Sequence, residues 1–175
     1  MDVSHRVRSL APSSTVAMMN RAKTLIAQGV DVLSFSAGEP DFDTPRKIKD
    51  AAIEALLAGQ TKYMPTAGDM ETRKVVAEKL ARENGIPGVK PEHVVISAGG
   101  KHSLFVLFHC LFDAPREGEA PQEAVLPVPA WVSYAPQIAL AGGKVVEVEA
   151  GPDQEFKITA PRAAARCSSA AALLG

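Results

Sequence analysis

Apolar residues recur at three- and four-residue steps in the first half of the chain and fall in short unbroken runs in the second. Over residues 13–26, Val16, Met19, Ala22 and Ile26 share one helical face. Ser13 or Ser14 is placed to cap that helix and Gly29 to end it. Residues 32–36 read as a short strand. Thr44 followed by Pro45 predicts the start of a second helix, with Ile48, Ala52, Ala55 and Leu56 turned inward and Gly59 as its stop. A loop over residues 60–68 leads to a third helix over about 70–83, with Val75, Val76 and Leu80 as its apolar stripe and Gly85 as its end.

Beyond Gly85 the period changes. Residues 93–97, 124–127 and 144–148 read as strands, and residues 103–112 and 131–141 as the helices between them. Strand alternating with helix predicts an α/β layer with a largely parallel sheet, and near-continuous apolar strands fit a sheet covered on both faces. Residues 113–123, rich in Pro, Glu and Gly, predict an exposed connection. Residues 160–175 are rich in Ala, show no clear period, and read as an aberrant tail. These strands are too few to close a parallel sheet, so an incomplete domain is expected.

Composition narrows the function. Nineteen Lys and Arg stand against 20 Asp and Glu, a net charge of −1, with no basic run. That excludes a chain built for nucleic acid or an anionic membrane surface. A hydrophobic share of 46% with 22% charged residues excludes overall disorder. No run approaches the roughly 20 apolar residues of a membrane span. The polar start, Asp2-Val3-Ser4-His5-Arg6, lacks an export signal's apolar core, so a cytoplasmic protein is expected. Cys110 and Cys167 lack metal spacing, as do His5, His93, His102 and His109, and no metal is expected.

Few segments carry chemistry. Ser97-Ala98-Gly99-Gly100-Lys101 follows an apolar run and opens a helix. Free amides at a helix N-terminus, with glycines allowing close approach, make a phosphate site; the same turn also serves purely steric needs. Trp131, the only tryptophan, follows the carboxyl end of a predicted strand, where ligands bind in open α/β sheets. It reads either as a platform for a planar ring or as a core residue. Gly38-Glu39-Pro40-Asp41 is a turn whose Gly38 backbone is open to a carboxylate. Tyr63 brings a hydroxyl in a loop.

Several segments, in order and spacing, resemble one family. They are Ser36-Ala37-Gly38-Glu39-Pro40-Asp41-Phe42-Asp43-Thr44-Pro45, Thr61-Lys62-Tyr63 with Thr66-Ala67-Gly68, Ser97-Ala98-Gly99-Gly100-Lys101, Trp131-Val132-Ser133-Tyr134, and Ala141-Gly142-Gly143. Over residues 4–159 the chain resembles the N-terminal part of class I aminotransferases that use pyridoxal phosphate, the fold-type I group, and most of all the bacterial aspartate and aspartate/prephenate branch. The resemblance implies an α/β fold with an incomplete, mostly parallel sheet flanked by helices. It divides the chain into an N-terminal arm and small-domain segment (1–45), part of the large cofactor-binding domain (46–159) and the tail (160–175).

The resemblance also implies roles. Gly99, Gly100 and Lys101 would hold the phosphate of pyridoxal phosphate, and Trp131 would stack on its ring. Tyr63 would reach the phosphate bound by the neighbouring subunit of a homodimer. Gly38 would meet the substrate α-carboxylate, and Lys101 with Thr15 the distal carboxylate of an acidic substrate. The implied reaction passes an amino group from aspartate or glutamate to a 2-oxo acid. The Schiff-base lysine of the family has no counterpart in these residues, so no catalytic residue is assigned and the chain is expected to be an inactive fragment. A non-catalytic remnant that binds phosphate or pyridoxal phosphate weakly, or another fold-type I enzyme, are the alternatives. Three departures stand out: the longer 113–123 connection, Ala130 beside Trp131, and Thr72 in the Gly68-Asp69-Met70-Glu71-Thr72-Arg73 segment.

Overall fold

A computed structural model describes residues 2–36, 38–166 and 171–173. Ala37 and Cys167, named above, lie outside the described residues. The chain divides into two compact units, Ala11–Met64 and Met1–Leu10 with Pro65–Gly175. The boundary expected at residues 45 and 46 falls inside the first of these.

A short helix, α1 (His5–Arg8), opens the chain. In the unit Ala11–Met64, α2 (Ser14–Ala27) is capped by Ser13, whose hydroxyl accepts from the Val16 N–H at 3.4 Å. It closes where the Gly29 N–H donates to Ile26 and the Val30 N–H to Leu25, the two bonds of a Schellman end. α3 (Arg46–Leu57) starts one residue later than expected, with Pro45 rather than Thr44 at its cap. Neither helix buries a residue: Ile48, Leu56 and Ala55 do not form the inward face that the pattern predicts. The strand expected over residues 32–36 is absent, and Phe35 is 95% exposed. A strand exists only through its partner, and among the described residues none pairs with this run.

The second unit holds the core. α4 (Met70–Asn84) starts at Asp69, whose carboxylate accepts from the Thr72 N–H at 2.9 Å, and ends on Gly85. Its inward stripe is Arg73, Val76, Ala77 and Leu80, while Val75 faces outward. A 3₁₀ turn (Pro91–His93) follows. The strand expected at residues 93–97 is also absent; this run is extended but unpaired, and Val95 is 68% exposed. α5 (Gly100–Leu111) then leads to β1 (Glu123–Val128), α6 (Tyr134–Leu140) and β2 (Lys144–Glu149). The connection 113–120 is exposed, as its composition predicts.

The tail contains regular structure that its composition does not reveal. α7 (Ala160–Arg166) buries Ala163, and β3 (Ala171–Leu173) pairs with β1. The sheet has three strands in the order β2-β1-β3, all parallel, with Leu126 opposite Glu147 in register. The expected parallel α/β layer is therefore present, but with a different set of strands. Phe108 and Phe112 of α5 and its end close on Ala124 of β1 and on Ile138 and Ala141 at α6. Burying two phenylalanines and an isoleucine here contributes about 1.5–3 kcal/mol each. This cluster fixes α5 and α6 against β1. Among the described residues no helix is long and apolar enough to cross a membrane.

The cap of α4 yields a pH prediction. Hydrogen bonding from Thr72 holds the Asp69 carboxyl below its ordinary value of 3.8. Its contribution is therefore present above the ordinary carboxylate value and lost as pH falls through the depressed one. Asp69→Ala should remove helicity at neutral pH, measured by far-ultraviolet circular dichroism. Asp69→Asn, which caps as well, should keep it there and remove this part of the acid-induced loss.

Candidate functional site: the turn before α5

Gly99 is the N-cap of α5, with φ 85° and ψ 160°. Only glycine occupies that backbone region without strain. Its carbonyl accepts from the N–H groups of His102 at 3.1 Å and Ser103 at 3.2 Å, and its own N–H donates to the Ser97 carbonyl at 2.8 Å. No side chain caps the helix. The N–H groups of Gly100 and Lys101 precede the first intrahelical bond, so they and the helix dipole face outward together. Apart from the adjoining residues and the helix's own backbone, no heavy atom of the described residues lies within 4 Å of the place a Cβ would take at Gly99 or Gly100, which leaves the backbone open to a ligand. The Ser97 and Ser103 hydroxyls share a hydrogen bond across the turn.

Trp131 lies just past the carboxyl end of β1, ahead of α6 rather than within it, and its carbonyl accepts from the Tyr134 N–H at 3.1 Å. The Lys101 ammonium sits over the indole, 5.1 Å from the ring centroid, within the range of a cation–π contact. Tyr134 meets the indole edge-on at 5.4 Å. Trp131 remains 45% exposed. It is therefore neither a fully buried core residue nor remote from the turn. An apolar groove of about 600 Å³ runs behind it between α5 and α6, lined by Leu104, Phe108, Tyr134 and Ile138 among others.

Gly99, Gly100, Lys101 and Trp131 thus come together in one unit. Gly38, Thr15 and Tyr63 belong to the other. There, no heavy atom lies within 4 Å of a Cβ position at Gly38, Thr15 is half-buried in the first turn of α2, and Tyr63 is fully exposed. Among the described residues no group of three or more His, Cys, Asp or Glu is arranged to hold a metal.

Two side chains that the sequence reading passed over reach this region. Gln137 of α6 is buried; its Nε2 approaches the Lys101 carbonyl at 3.4 Å, and its Oε1 has no partner. The Arg73 Nε donates to the carbonyls of Pro91 and Val94, both at 2.9 Å. Arg73 is legible after the fact: it lies at helical spacing with Val76, Ala77 and Leu80, and a cation on a buried stripe demands acceptors.

The open, uncapped turn fits an anion, and the half-exposed indole beside it fits a planar ring. The aminotransferase class I and II family matches residues 30–172. The chain belongs to that family. It is 42% identical over 158 residues to an aspartate aminotransferase of a Bacillus species, covering 90% of this chain and 38% of that protein. It is 47% identical over 154 residues to the aspartate/prephenate aminotransferase of Thermus thermophilus, covering 88% and 38%. The chain thus spans well under half the length of these aminotransferases. The solved aspartate aminotransferase from Thermus thermophilus with maleate superposes with a TM-score of 0.89 at 42% identity, over 99% of this chain and 44% of that one. The aspartate aminotransferase from Rhizobium meliloti superposes at 0.87 with 30% identity, over 98% and 41%.

The two glycines of this aminotransferase turn should respond differently to alanine. Gly99→Ala meets no neighbour, so its cost is backbone strain alone, about 1–3 kcal/mol. Gly100→Ala, at the first helical position and in open space, should be neutral or stabilising by about 0.5–1 kcal/mol. Chemical denaturation of both variants measures the contrast.

Proposed function

We propose that this chain supplies the phosphate- and ring-holding part of a pyridoxal phosphate-dependent aminotransferase site, whose reaction passes an amino group from aspartate or glutamate to a 2-oxo acid. The observation that carries this reading is the Lys101 ammonium over Trp131 at the uncapped start of α5. When bound, the cofactor supplies an electron-withdrawing ring that stabilises charge at the substrate α-carbon. The residues here bind and orient. The amides of Gly100 and Lys101 would hold the phosphate, with the Lys101 ammonium adding a point charge. Trp131 supports the ring plane and keeps water from one side of it. In the other unit, the Gly38 backbone and the Thr15 hydroxyl keep the substrate-carboxylate roles that the resemblance implies.

Tyr63, fully exposed, suits a role toward a partner subunit's phosphate, as in a cytoplasmic homodimer acting in amino-acid biosynthesis. This chain spans 38% of its relatives' length; weak cofactor binding at most, and no turnover, is expected of it.

Because Trp131 is the only tryptophan, its emission reports directly on the site. Titration with pyridoxal phosphate should quench it saturably. Lys101→Met should weaken binding roughly tenfold, the low end for a charge-assisted bond because Lys101 is exposed. Emission that stays unchanged, or quenching that never saturates, contradicts the reading. A coupled assay with aspartate and 2-oxoglutarate should show no turnover; rates of about 1 per second would contradict that expectation.

A further inference from the structure

Residues 94–97 lead into the turn at Gly99, and among the described residues none gives them the strand pairing that normally holds such a run. Three contacts take its place. The Arg73 Nε donates to the Pro91 carbonyl and the Val94 carbonyl, each at 2.9 Å. The Ile96 N–H donates to the Ala67 carbonyl at 2.9 Å. Gly68, with φ +96°, packs so closely on Ile96 that a Cβ there would stand 2.7 Å from Cγ1. The next bond along the chain, from the Gly99 N–H to the Ser97 carbonyl, already belongs to the turn. Arg73 is itself fixed, because α4 begins at the Asp69 cap one turn before it.

We propose that Arg73 is a positioning residue for the turn before α5. It acts through the location of its Nε donor and not through its charge: one N–H at that point joins the Pro91 carbonyl, which also accepts from the Val94 N–H, to the Val94 carbonyl, which has no strand partner among the described residues. The consequence for cofactor affinity rests on the phosphate reading above; the positioning claim does not.

The geometry selects the variants. Gln places its Nε2 the same number of bonds from the backbone as the Arg Nε, and that amide carries two N–H donors. Lys keeps the charge but has a methylene at that place. Arg73→Gln should therefore leave amide exchange over residues 94–101 and Trp131 emission close to those of the unaltered chain. Arg73→Lys should speed that exchange roughly tenfold or more and shift the emission, with exchange in β1 and β2 unchanged. Pyridoxal phosphate affinity should fall in the Lys variant and hold in the Gln variant. Equal protection in both variants, or protection by Lys and not by Gln, would overturn the proposal. Failure of the Gln variant to fold would overturn it too, because that side chain retains the donor. If the unaltered chain does not bind pyridoxal phosphate, the cofactor reading falls, while exchange and emission still decide the role of Arg73.

Discussion

A helix that begins without a side-chain cap leaves its first N–H groups to be satisfied from outside. In this chain α3, α5 and α6 all begin without a side-chain cap, and α5 alone of these does so behind a glycine, one whose backbone angles other residues adopt only with strain. Other features of the same unit converge on it. Phe108 and Phe112 anchor the far part of α5 in the core, which fixes the direction of its open end. β1, held against the same cluster through Ala124, delivers Trp131 beside that end. Lys101, in the first turn of the helix, spans the gap to the indole. Placing the turn thus requires both the sheet and the approach run from residue 94.

The surroundings are less complete than the site. Neither α2 nor α3 buries a residue, and Leu33, Phe35, Phe42 and Leu57 are exposed. Exposed apolar surface on this scale is unusual for an isolated monomer. The small core around Phe108 and Ile138 gives the second unit its own anchor. The turn geometry belongs to that anchored unit, which is why it forms although so much apolar surface elsewhere is uncovered.

Local chemistry was the most legible part of the sequence. The cap at Ser13, the stops at Gly29 and Gly85, and the strands β1 and β2 follow from residues within a few positions of one another. The helix start at the glycine turn was legible, and its closeness to Trp131 followed from the carboxyl end of β1, although the strand expected before the turn does not form. What failed depends on distant partners. Residues 32–36 and 93–97 have strand composition, but pairing makes a strand, and the described residues offer them none. In the tail, the alanine-rich run forms α7 because Arg162 ties it to the Glu149 carbonyl and to Gln154, and because Ala163 buries well. Neither contact has a local signature. Arg73 was hidden for the same reason, since its acceptors lie 18 and 21 residues away.

The central claim is that the start of α5 receives a phosphate beside Trp131. Titration of ¹⁵N-labelled chain with pyridoxal phosphate, followed by amide and indole resonances, tests it most directly. The account predicts saturable shifts largest at the amides of Gly100 and Lys101 and at the Trp131 indole N–H, with a common affinity. Shifts concentrated elsewhere, or none at these three groups at saturation, would contradict it.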